Sequence, residues 1–381
     1  MSYLLPNYVR KPFELVTGDG CTLHDDQGRT FLDFTSGIGV VNLGYGDPEI
    51  EQALIDQSLK IWHTPNLYQN HLQEEVAKLL CESYDYRAFF CNSGAEANEA
   101  ALKFVRKATK KSEIVTCLNS FHGRTYGAMS ATGQVSVHKG FHPLVPGFSF
   151  LEYNNYAAID QRITTETAGV LLELIQGEGG VQPAERAWIK QVAARCEAVG
   201  ALFVIDEIQT GIGRTGTFYA FEQYGVIPDV VTLAKGLGNG FPVGAMLAKN
   251  TYQEAFSAGS HGTTFGGNKL AMAVAKVVIE KVKQSGFLLE VQRKGHLLAE
   301  ELKQLPQDKI KEIRGTGLMW GIELTDEYSI EDVLDGLADN GLLALKAGKN
   351  VIRLLPPLIL TEEELHKGVQ ILATVLKNNG K

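Results

Sequence analysis

Val230-Val231-Thr232-Leu233-Ala234-Lys235-Gly236-Leu237-Gly238-Asn239-Gly240 is the stretch from which the fold can be read. A short apolar, β-branched run ends in one lysine, and glycines follow at once. Such a run reads as a buried strand. The lysine then stands at the strand's carboxyl end, where open α/β sheets place their ligands. A lysine there is most often a solvated strand end, because lysines are rarely buried. In an apolar pocket, however, its pKa falls and it becomes a Schiff-base nucleophile or a proton shuttle. Its neighbours must decide between the two readings.

Upstream, Ala201-Leu202-Phe203-Val204-Ile205-Asp206-Glu207 is a second apolar run, closed by two acids. A carboxylate at the end of such a strand is costly unless paired, which makes Asp206 a stronger candidate than an exposed acid. Asp206 and Lys235 lie 29 residues apart, about one strand–helix–strand unit. Parallel pairing would bring acid and lysine to one sheet edge. The same grammar recurs earlier. Ala88–Asn92 runs into Ser93-Gly94-Ala95-Glu96 and a helix whose first backbone N–H groups can take an anion. Glu113–Cys117 leads into Phe121-His122-Gly123-Arg124-Thr125, which offers an aromatic and a guanidinium, with His122 read as structural. Ala168–Gln176 ends in Gly177-Glu178-Gly179.

The rest of the chain bounds the answer. Its 381 residues can form two or three domains, with 44% hydrophobic and 21% charged residues. The net charge of -8, with no basic block longer than Lys107–Lys111, argues against nucleic acid. Five scattered cysteines without a Cys-x-x-Cys point to reduced thiols in a cytoplasmic protein. No signal peptide pattern opens the chain, no apolar run approaches the ~18 residues of a membrane span, and no metal-ligand spacing occurs. Near residue 285 the pattern changes to helix, strand and helix. The division expected is residues 1–50, contributing to a small domain; 51–284, a large cofactor-binding domain; and 285–381, a C-terminal small domain.

Lysine, acid, aromatic and helix start together fit pyridoxal 5'-phosphate, which needs an amine for its aldehyde, an acid for its ring nitrogen, a flat partner and phosphate donors. A nicotinamide site is disfavoured, because no G-x-G-x-x-G links an early strand and helix. At this point the chain closely resembles the class III (ornithine/acetylornithine-type) aminotransferases of fold type I. The motifs that carry the resemblance are Ser93-Gly94-Ala95-Glu96-Ala97, Phe121–Thr125, Gln176–Gly179, Asp206-Glu207-Ile208-Gln209-Thr210-Gly211, Ala234-Lys235-Gly236 and Thr264–Asn268. It implies an α/β fold with a mainly parallel central sheet, flanking helices and a smaller α+β domain.

The resemblance also implies roles. Lys235 binds the cofactor aldehyde, Asp206 pairs with the ring nitrogen, Gln209 reaches the ring oxygen and Phe121 stacks on the ring. Gly94 and Ala95 hold the phosphate, and Thr264 reaches the phosphate of a neighbouring subunit's cofactor, so a homodimer with shared sites is implied. Arg124, with Thr263 nearby, takes the substrate's α-carboxylate. Glu178 and Arg353 form a switch that frees Arg353 for glutamate or 2-oxoglutarate. Ornithine enzymes of the family carry a tyrosine where Ile38 aligns. Ile38 cannot hydrogen-bond a free α-amino group, so an acylated donor, N-acetylornithine, is expected, in arginine biosynthesis. N-succinyl-diaminopimelate, ornithine and γ-aminobutyrate are the alternatives. Tyr45-Gly46-Asp47-Pro48 departs from the histidines usual there.

Overall fold

The structure, a computed structural model, describes residues 3–378. Its centre is a seven-stranded sheet in the spatial order Tyr86–Cys91, Gly244–Lys249, Val230–Leu233, Leu202–Asp206, Thr167–Glu173, Glu113–Cys117 and Phe148–Leu151. Only Gly244–Lys249 runs against its neighbours. The other contacts between adjacent strands are parallel. This is the expected mainly parallel sheet. Thr167–Glu173 and Leu202–Asp206 are buried along their whole length, as strands covered on both faces must be. Asp206 pairs in register with Thr232 on one side and Glu173 on the other. The carboxyl ends of three strands therefore meet at one edge.

The helix after the first of these strands, Gly94–Thr109, is started locally. Ser93 Oγ accepts from Glu96 N at 3.2 Å, and Glu96 returns its carboxylate to Asn92 N at 2.6 Å. This reciprocal cap fixes where the helix begins. Its face of Ala97, Ala100, Ala101, Phe104 and Val105 is buried against the sheet, as its spacing predicts.

One expected element is absent. Between Asp206 and Val230 the chain crosses over without an α-helix, through turns and a single 3-10 segment, Ala220–Tyr224. Gly211, Gly213 and Gly216 interrupt this stretch, and glycine weakens helices. The parallel register survives, because Glu207 turns away from Asp206 and accepts from Ala220 N at 2.7 Å and Phe221 N at 2.8 Å. Further on, Ile310–Thr316 and Met319–Leu324 form an antiparallel hairpin.

A second core, around Phe34, Leu298, Ile352 and Leu372, lies between a four-stranded antiparallel sheet and the helices Phe287–Leu302 and Glu362–Asn378. The N-terminal strands join it: Thr30–Asp33 pairs in parallel with Leu342–Leu343. Tyr45 and Asp47, the departures noted in the sequence, are structural here. Tyr45 OH donates to Asp33 at 2.8 Å, while Asp47 caps Pro48–Ser58 and pairs with Lys281 at 2.7 Å. No helix among the described residues is long and apolar enough to cross a membrane.

Arg214 ties these parts together. It is fully buried and donates to Leu318 O, Pro356 O and Asn42 Oδ1. Among the described residues it has no ion-pair partner, so three neutral acceptors hold a buried cation. Arg214→Leu removes the donor and leaves those acceptors buried and unpaired. It should lower stability by about 3 kcal/mol or more, read as an earlier urea transition.

Candidate active site

The strand ends open into one cavity of about 420 Å³. Lys235, Gly94, Ala95, Phe121, Asp206, Gln209, Arg124 and Glu178, all selected from the sequence, line it. Asp206 forms its floor. One oxygen accepts from Ile208 N at 3.0 Å. The other meets Asn98 Nδ2 and His122 Nδ1, each at 2.8 Å. The acid is 4% exposed and fully partnered, which is how a carboxylate tolerates such a place.

Lys235 follows its strand in a left-handed conformation, φ 47°, and its amine ends inside the cavity. Burial pushes its pKa down to about 8, and the Arg353 cation adds to the shift. Glu178, Asp206 and Glu173 oppose it. The amine is thus partly unprotonated near neutral pH.

The helix start lies against the same space. A β-carbon at Gly94 would meet the Ile208 side chain at 2.8 Å, and one at Gly123, φ 139°, would meet Ala95 at 2.8 Å. Both positions need glycine to bring the Phe121–Thr125 loop and the Asp206–Gln209 turn onto the helix N-terminus. The Arg124 guanidinium lies 5.7 Å from the centre of the Phe121 ring, and no carboxylate among the described residues pairs with it.

The other four selected residues lie outside the cavity wall. Arg353, 2% exposed, stands just behind it and donates through Nη1 to Glu178 at 2.6 Å and Gln209 Oε1 at 3.2 Å. Thr263 is at the rim, where its hydroxyl accepts from Gly266 N at 3.1 Å and Asn92 Nδ2 at 3.4 Å. Thr264 is exposed on the same loop. Ile38 is 45% exposed.

Three site residues are not selected from the sequence by function: Glu173, Asn98 and His122. Glu173 was legible, since it ends an apolar strand as Asp206 does. His122 reads as structural, and it is buried, yet its ring sits on Asp206 with Nε2 unpartnered. Nothing in the local pattern of Asn98 marks it.

This geometry has known counterparts. The family pattern Aminotransferase class-III matches residues 5–376. The chain belongs to the class-III aminotransferases, and it is an aminotransferase. An acetylornithine aminotransferase from Streptococcus mutans is 51% identical over 381 residues, covering 100% of both chains. N-acetylornithine aminotransferase from Stenotrophomonas maltophilia superposes with a TM-score of 0.84 at 37% identity, over 97% of this chain and 96% of that one. An ornithine aminotransferase from Toxoplasma gondii superposes with a TM-score of 0.93 at 30% identity, over 99% and 92%, and carries PLP at partial occupancy in its active site.

The lowered amine can be measured directly. In cofactor-free protein, acylation of Lys235 followed by mass spectrometry should rise with pH around a midpoint near 8. Arg353→Gln removes the cation that depresses the amine, so the midpoint should move up. An unchanged midpoint would separate Arg353 from Lys235.

Proposed function

We propose that the chain binds pyridoxal 5'-phosphate in this cavity and transfers the amine of N-acetylornithine to 2-oxoglutarate, giving N-acetylglutamate 5-semialdehyde and glutamate. The observation that carries the reading is the convergence of a depressed lysine, a fully partnered buried acid, an aromatic face and a helix N-terminus on one cavity. These are the groups the cofactor requires, so the residues present fit it. Lys235 would hold its aldehyde, Asp206 its ring nitrogen, Gln209 its ring oxygen, Phe121 its face, and Gly94 and Ala95 its phosphate. The bound cofactor supplies an aldehyde for amine exchange and a ring that draws electrons from the substrate carbon.

The chain's own residues do the rest. Lys235 Nζ, displaced by the incoming amine, takes the proton from the amine-bearing carbon. Its lowered pKa makes it a competent base near neutral pH. Asp206 keeps the ring nitrogen protonated. Arg124, which pairs with no carboxylate among the described residues, takes the donor's α-carboxylate, with Thr263 at the rim. Arg353 is held by Glu178 while the donor is bound. Release from Glu178 makes Arg353 available to 2-oxoglutarate, so one cavity serves both substrates in turn.

Ile38 supports the acylated donor, because it offers no partner to a free α-amino group. Relatives at about half identity carry the acetylornithine name, while the Toxoplasma gondii structure keeps ornithine as the second reading. A panel of N-acetylornithine, N-succinyl-diaminopimelate, ornithine and γ-aminobutyrate, with glutamate formed as the readout, decides between them. N-acetylornithine should lead in kcat/KM, and Ile38→Tyr should raise ornithine relative to it by about tenfold. Lys235→Ala should lose at least about 10³-fold in turnover, together with the cofactor's absorbance.

The same reading includes a cytoplasmic homodimer and the three-part division at residues 50 and 284. Two cores support the division. Exposed Trp62, Leu67, Tyr68 and Phe265 support the dimer. Asn66 Nδ2 donates to Gly266 O at 3.0 Å, which ties this apolar surface to the loop of Thr264. Thr264→Ala should weaken cofactor retention about tenfold through one lost phosphate hydrogen bond. A fully active monomer in sedimentation would contradict the shared site.

A further inference from the structure

Glu173 has no role in the chemistry above, yet it lies beside its centre. It closes the Thr167–Glu173 strand, in register with Asp206, and lines the cavity. Oε2 accepts from Phe121 N at 3.0 Å, and Oε1 accepts from Gly177 N at 3.3 Å. Its own carbonyl is held by Tyr153 OH at 2.8 Å, so the base of the side chain is fixed too. Among the described residues no cationic side chain pairs with it.

The two N–H groups belong to different segments of the site, brought together on one carboxylate. Phe121 is the aromatic wall. Gly177 precedes Glu178, whose carboxylate holds Arg353 at 2.6 Å. A β-carbon at Gly177 would stand 2.2 Å from Gln209 Oε1, which itself accepts from Arg353 Nη1 at 3.2 Å. The Gly177 backbone is thus pressed against the group that shares Arg353 with Glu178.

We infer that Glu173 is a positioning residue: its two carboxylate oxygens fix the spacing between the aromatic wall at Phe121 and the loop that carries Glu178. The inference rests on the aminotransferase reading of the cavity. Two converging N–H donors need two acceptor oxygens. A glutamine offers one oxygen and turns an NH2 group towards the other donor. Stability does not account for the acid. Burial and the neighbouring Asp206 push its pKa up, with His122 and the two N–H donors opposing, so the ionised form is held at a cost. The charged and titratable groups around it are Asp206, His122, Lys235, Cys117 and Tyr153.

The raised pKa fixes the sign of the stability effect. A carboxyl whose folded pKa lies above its unfolded one favours folding below the unfolded value and loses that contribution as pH rises through the folded one. Glu173→Gln in the loaded enzyme should therefore unfold at or above the wild-type temperature at pH 8. It should still slow both the donor and the acceptor half-reactions about tenfold or more in single turnovers, and weaken the visible circular dichroism of the bound chromophore. In cofactor-free, 15N-phenylalanine-labelled protein, the Phe121 amide should exchange with solvent about tenfold faster. Glu173→Asp, which keeps both oxygens, should lie nearer the wild type in exchange and dichroism. Wild-type half-reactions and Phe121 exchange in Glu173→Gln would overturn the inference. So would losses that only track a lowered unfolding temperature, or an aspartate no better than the glutamine. If the aminotransferase reading itself fails, the wild type shows no half-reaction, while Phe121 exchange still reports on the carboxylate.

Discussion

Asp206 ends an apolar strand inside the protein, and an ionised carboxylate there must be partnered or it destabilises the fold. Asn98 meets most of that demand. It accepts from Thr232 Oγ1 at 2.8 Å and donates to both Asp206 and His122 O at 2.8 Å. One amide thereby joins the helix Gly94–Thr109, the strands ending at Asp206 and Leu233, and the loop of Phe121. These are the segments that carry the acid, the lysine, the helix start at Gly94 and the aromatic wall. The polar network that makes the buried acid tolerable is the same one that sets the site's shape. Loss of one member would leave the others buried without partners.

Charge is arranged around that floor in opposing pairs. Lys235 and Arg353 face Asp206, Glu173 and Glu178, and Lys235 still ends with a depressed pKa because burial outweighs its three acids. A more exposed lysine with the same neighbours would stay protonated and be a poor base. Arg353 keeps its charge partner at 2.6 Å and is almost wholly buried, so breaking the pair requires a replacement anion. This pairing is what the proposed switch would rest on: the arginine would leave Glu178 only for another carboxylate. Arg124 stands at the opposite condition, exposed and without an ion-pair partner among the described residues, its guanidinium 5.7 Å from the centre of the Phe121 ring.

Strands, the capped helix and the ends that gather Lys235 and Asp206 were legible because periodicity and strand-end chemistry are local signals. The class of enzyme followed from residues that never adjoin in sequence but share one edge once the strands are parallel. The helix expected between Asp206 and Val230 was not there, because the pattern carried only the need for a crossover, and glycines with Glu207 supplied it by turns. Glu173 carries the same strand-end signal as Asp206, but its partners are backbone N–H groups that no sequence pattern displays. Arg214 was illegible for the same reason: two of its three acceptors are carbonyls from distant segments.

Ile38 shows how far backbone geometry can sharpen a substrate argument. Ser36, Gly37, Ile38 and Gly39 all have positive φ, from 46° to 71°, and form one left-handed turn closed by Gly39 N to Thr35 O at 2.9 Å and Val40 N to Ser36 O at 2.7 Å. Glycine accepts this conformation freely, whereas a β-branched residue there costs on the order of 1–3 kcal/mol. Ile38 is 45% exposed, so packing within the chain covers only part of it. The turn is anchored beside the site, with Ser36 Oγ donating to Leu355 O, and a β-carbon at Gly39 would meet the Gln209 side chain at 3.7 Å. A strained, half-exposed isoleucine beside the cavity supports the proposal that it meets the amine donor. An acylated donor fits that place, because its apolar methyl and its uncharged amide ask of Ile38 only contact and no hydrogen bond.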